Sequence, residues 1–92
     1  MAHTFEELVE KQRAANEAHA RVQNLRDTYG APTTAPWTQE QHGTYETAWR
    51  AWRDLARDAQ ASVTEYARDE DKPRNEVEAD VKKAATEPPG DQ

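Results

Sequence analysis

Apolar residues recur at Phe5, Leu8, Ala15, Val22 and Tyr29, a 3.5-residue repeat with Val9, Ala18 and Leu25 on its flanks. No Pro or Gly interrupts positions 5–29, and Thr4 with Glu7 has capping-box spacing, so the pattern predicts a long helix over about 4–29. Glu7/Lys11 and Glu17/Arg21 are i,i+4 pairs in the favourable order. Gly30 tolerates a positive φ at the helix end, and Pro32 prevents resumption.

A second stripe is stronger. At 100° per residue, Tyr45, Trp49, Trp52, Leu55, Ala56, Ala59, Val63 and Tyr66 fall within a sector about 120° wide. The opposite sector holds Glu46, Arg50, Arg53, Asp54, Arg57, Asp58, Glu65 and Arg68, acids and bases interspersed as on a solvated face. Thr38 with Gln41 repeats the capping-box spacing, and Trp37 precedes it in position to staple onto His42. The predicted helix covers about 38–69 and is roughly 45 Å long at 1.5 Å per residue. Gly43 is its weak point. Pro73 interrupts the pattern; Asn75 with Glu78 offers a further cap, and Val77, Val81, Ala84 and Ala85 form a thin stripe for a short third helix over about 75–86. The end, Glu87-Pro-Pro-Gly-Asp-Gln92, is expected to be disordered.

These elements define an all-α chain. The stretch 31–37, with two prolines, reads as a short, stiff connection between antiparallel neighbours, giving a two-helix hairpin. Placing Tyr29 near Thr38 pairs positions whose numbers sum to about 67. Val22 then meets Tyr45, Ala18 meets Trp49, Ala15 meets Trp52, Leu8 meets Ala59, and Phe5 lies near Val63. Large side chains face small ones through the middle. Residues 1–71 are read as the hairpin domain and 72–92 as an acidic C-terminal segment. Gln12, Asn16, His19 and Gln23 border the seam where a further partner would lie, so a third helix, a second copy or another protein should complete the core; self-association into a four-helix bundle is the first expectation and coverage by the C-terminal helix the second.

Composition sharpens this picture. Leu, Val and Phe number only nine in 92 residues, too few for a thick core, and three Trp and three Tyr make up part of the deficit. The absence of cysteine removes disulfides and thiol chemistry and agrees with a cytoplasmic location. No apolar run is long enough to span a membrane, and Met-Ala-His-Thr-Phe-Glu-Glu lacks the character of a signal peptide. A net charge of −6 disfavours nucleic acid and anionic membranes as partners. Sixteen Ala, eight Arg against four Lys, and no Ile resemble the output of a GC-rich bacterial genome.

Catalytic chemistry has no foothold: there is no glycine-rich phosphate loop, HExxH, GxSxG or Asp-rich calcium loop, and no small-molecule substrate or cofactor is expected. His42 and Glu46 share a helical face, with His19 across the seam, but two ligands on one helix do not make a zinc site. Arg50, Arg53, Arg57 and Arg68 line one edge, where Glu46, Asp54 and Asp58 neutralise most of their field. What remains is binding. Trp and Arg are enriched in interface hot spots, so Trp37, Tyr45, Trp49, Trp52 and Tyr66 are the candidate partner-binding residues of a non-enzymatic interaction module, a homodimer joined through the aromatic stripe.

Two other readings share the sequence. Residues 70–92 hold seven acids and four bases, which suits an acidic decoy or antitoxin-like regulator occupying a basic site on another protein. Tyr66-Ala-Arg-Asp-Glu70 has Tyr-x-x-x-Asp/Glu spacing after the second helix and resembles the small secreted bacterial hairpins of the WXG100 (ESAT-6-like) class. That resemblance implies export without a cleaved leader. The turn departs from the class, reading Trp37-Thr-Gln39 in place of Trp-x-Gly.

Overall fold

Each long helix begins at the threonine its sequence marks. The Thr4 hydroxyl accepts the Glu7 N–H at 3.1 Å while the Glu7 carboxylate accepts the Thr4 N–H at 2.9 Å. Thr38 and Gln41 repeat the exchange at 3.0 and 2.9 Å. In the computed structural model, which describes residues 3–31 and 35–87, these caps open α1 (Phe5–Tyr29) and α2 (Gln39–Asp69), followed by α3 (Arg74–Thr86). Most of the described residues are helical, and none of them forms a strand. The tail expected to be disordered lies, from residue 88 onward, outside the described residues, as do positions 32–34 of the α1–α2 connection.

The helix ends follow local chemistry. Gly30 closes α1 at φ 78° and ψ 178°, an extended conformation essentially restricted to glycine. α2 ends in a Schellman motif with Asp71 left-handed at φ 55°. The Lys72 N–H returns to the Ala67 carbonyl at 2.9 Å and the Asp71 N–H to that of Arg68 at 3.2 Å. Pro73 then turns the chain into α3, one residue earlier than the sequence suggests. The expected Asn75 cap does not form: Pro73 occupies the N-cap position with no side-chain bond. Glu78 instead lies between Arg74 (2.9 Å) and Lys82 (3.0 Å), each one turn away.

Contacts between α1 and α2 run in opposite senses along the two helices. His3 Nε2 lies 2.7 Å from Glu65, Lys11 Nζ donates to Asp58 at 2.6 Å, the His19 and Trp52 rings are 4.6 Å apart, and Phe5 meets Tyr66 edge-on at 6.4 Å. The numbers of these pairs sum to 68–71, not 67, so Trp52 sits against His19 rather than Ala15. Lys11 reaches across to Asp58 rather than pairing with Glu7. The reason lies in which side of α2 turns inward. Its buried residues are Ala48, Ala59, Ser62, Val63 and Ala67, small side chains that let α1 approach closely, and the bulky Trp49 and Leu55 are displaced to the margins.

The core at this end is covered by α3 of the same chain, not by the second copy that the thin stripe of Val77 and Val81 suggests. Val77 and Val81 pack with Leu8, Val63 and Ala67, and Leu8, Val63 and Val81 are the largest side chains with essentially no exposure. Two arginines tie the third helix down. Arg13 of α1 donates to the Ala84 carbonyl at 3.2 Å, and Arg74 donates to Thr64 at 2.8 Å and to the Gln60 side chain of α2.

Candidate interaction surface

The aromatic residues of α2 have three environments. Trp37, just before the helix, donates its indole N–H to the Gly30 carbonyl at 2.8 Å. It also touches Tyr29, His42 and Tyr45 with ring centroids 5.1–5.3 Å apart. The staple onto His42 is therefore present and is one part of a four-ring cluster that locks the end of α1 to the start of α2. With its polar atom satisfied within the chain, Trp37 is a bracing residue. Tyr66, at the far end, is half-buried against the Leu8/Val81 cluster, with Phe5 on its edge and the Lys72 ammonium 5.8 Å from its ring centroid. It is separated from Trp49 by 17 residues, about 26 Å along the helix.

Tyr45, Trp49 and Trp52 form the middle group. Trp52 is half-buried between His19 and Trp49, its ring 6.4 Å from Trp49 at an interplanar angle of 78°. Trp49 itself is 38% exposed, with the Arg53 guanidinium 5.2 Å from its ring centroid. With His42, Tyr45 and Glu46 it lines an open depression of ≈ 360 Å³. Glu46 pairs with Arg50 at 3.3 Å, and Arg53 lies 3.7 Å from Asp54.

Helical geometry explains why this patch is open. Eighteen residues make five turns, so Trp49 shares a face of α2 with Ala67, and Tyr45 shares one with Val63. At Val63 and Ala67 that face is covered by α3. The third helix has only 13 residues, about 20 Å, and among the described residues no element covers the same face at Tyr45 and Trp49. A second groove, ≈ 570 Å³, lies between α1 and α2 and is lined by small residues, Ala18, Gly43, Thr44, Thr47, Ala48 and Ala51 among them.

The polar candidates are dispersed. His19 lies against Trp52, His42 against Trp37, and His3 between Glu65 and Glu7. Among the described residues no three His, Cys, Asp or Glu side chains converge as a metal site would require. No described helix is long and apolar enough to cross a membrane. The sequence reading missed Ala48, Ser62 and Ala67 as seam residues, because a small side chain carries no hydropathy signal when larger neighbours lie one position away. No family model, no curated protein and no solved structure matches the chain.

Proposed function

We propose that this chain is a non-enzymatic protein–protein interaction module, an antiparallel helical hairpin braced by α3, which self-associates through the aromatic edge of α2. The observation that carries the reading is the exposure of Trp49 beside half-buried Tyr45 and Trp52, on the continuation of a face that α3 covers further along. An open tryptophan flanked by arginine has the composition of an interface hot spot.

Light scattering tests this directly. At high micromolar concentration the wild-type chain is expected at about twice its 10.5 kDa mass. Trp49→Ser is expected at the monomer mass with its helicity unchanged. A Trp49→Ser variant that keeps the wild-type mass would remove Trp49 from the interface, and a wild-type chain that stays monomeric would remove self-association altogether.

A further inference from the structure

The charges around Trp49 specify more than an apolar contact. Glu46 lies three residues before the indole and Arg53 four residues after it, at 100° and 80° on the helical wheel where Trp49 is at 40°, so the three share one edge of α2. Both charged side chains are open, 63% and 44% exposed. The edge therefore reads acid, indole, base in the chain direction. Reversed, it reads base, indole, acid, which is its own electrostatic complement.

We propose that the occupant of this edge is a second copy of the chain with its α2 running in the opposite direction about a two-fold axis at Trp49–Arg50. Each Glu46 then faces the second copy's Arg53, and the two exposed indoles meet at the axis, each covering surface that its own α3 is too short to reach. A parallel arrangement would set Glu46 against Glu46 and Arg53 against Arg53, like charges brought together as apolar surface is desolvated. Two-fold, self-complementary contacts are also the commonest way in which identical chains close an assembly. Glu46 and Arg53 also have intrachain partners, Arg50 at 3.3 Å and Asp54 at 3.7 Å, and the axis brings the two Arg50 side chains near each other, each accompanied by its own Glu46, while the Arg53 guanidinium already lies over the Trp49 ring that enters the contact. The proposal rests on the self-association reading and adds the orientation and the pairs that select it.

The chain has no cysteine, which makes single-cysteine crosslinking clean. In the antiparallel dimer, Arg50→Cys lies beside the axis, near its mate, and a short bismaleimide is expected to trap it as a covalent dimer. Arg57→Cys lies roughly 22 Å from its mate along the helix at 1.5 Å per residue and is expected to remain uncrosslinked. Crosslinking at both positions would show a parallel pair and overturn the orientation. Dimer mass with no crosslink at position 50 would place the interface on another face, overturning this proposal while leaving self-association intact. Monomer mass before crosslinking would instead sink the underlying reading.

Charge exchange supplies a second arm. Glu46→Arg and Arg53→Glu are each expected to raise the dimer dissociation constant about tenfold or more, although they change net charge in opposite directions. The double exchange, E46R with R53E, is expected to restore wild-type affinity, as is mixing the two single variants. Failure of the double exchange to recover would overturn the Glu46–Arg53 pairing.

Discussion

Gly30, Leu8 and Trp49 illustrate three ways in which one side chain matters. At φ 78° and ψ 178°, Gly30 occupies backbone space that a Cβ disfavours, although nothing lies within 4 Å of where that atom would sit. Gly30→Ala is therefore expected to cost about 1–3 kcal/mol through backbone strain alone, readable as a lower unfolding midpoint in denaturant. Leu8 is 1% exposed where all three helices meet, and Leu8→Ala is expected to cost about 2–5 kcal/mol. Trp49→Ala is expected to lower the stability of a dilute sample less than Leu8→Ala does, because a side chain 38% exposed loses less packing than one 1% exposed. The caps at Thr4 and Thr38 and the positive φ at Gly30 were legible in the sequence because each depends on residues within one helical turn. Asp71 was not: its left-handed conformation is imposed by the Schellman bonds from Asp71 and Lys72 back to Arg68 and Ala67. Asp71→Gly is expected to stabilise the fold by about 1 kcal/mol by relieving that strain.

Among the elements, α3 shows where sequence periodicity stops being informative. Its stripe of Val77, Val81 and Ala85 is thin, yet it closes the core over Leu8 and Val63. Sparse hydropathy conceals this, since two valines suffice when their neighbours supply a preformed notch. The rotation of α2 was equally hidden. Indoles dominate any wheel, but close approach of two helices favours Ala48 and Ala59 at the seam and moves Trp49 to the edge. Within α3, the hydrogen bond from Lys82 is the largest influence on the Glu78 carboxyl, and together with the charges of Lys82 and Arg74 and a hydrogen bond from Arg74 it outweighs the opposing effect of burial and holds the group below its ordinary value of 4.5. A carboxylate whose pKa is depressed by folding adds stability above its unfolded value and loses it as pH falls through the lowered one. The support that these pairs give to the α3 helix itself is thus expected to weaken on acidification through and below pH 4.5. In Glu78→Gln, the difference in unfolding midpoint between neutral and acidic pH should be smaller than in wild type; an unchanged difference would show that Glu78 does not carry it.

At the scale of the whole molecule, the extents of 50 × 28 × 20 Å describe an elongated body whose third helix covers part of one face. The class of candidate site, an aromatic edge on the second helix, could be read from residue spacing. Its division into a bracing Trp37, a half-buried Trp52 and an open Trp49 could not, because Trp37 is held by the Gly30 carbonyl, Trp52 by His19 of α1, and only the exposure of Trp49 follows from how far α3 extends. The acid–indole–base order around Trp49 was present in the sequence, but it acquired meaning only once that edge was seen to be uncovered. The most direct measurement of the central claim is sedimentation equilibrium of the unmodified chain from low micromolar to submillimolar concentration. A mass rising with concentration from 10.5 kDa toward twice that value is expected; a constant 10.5 kDa across the range would contradict self-association through α2.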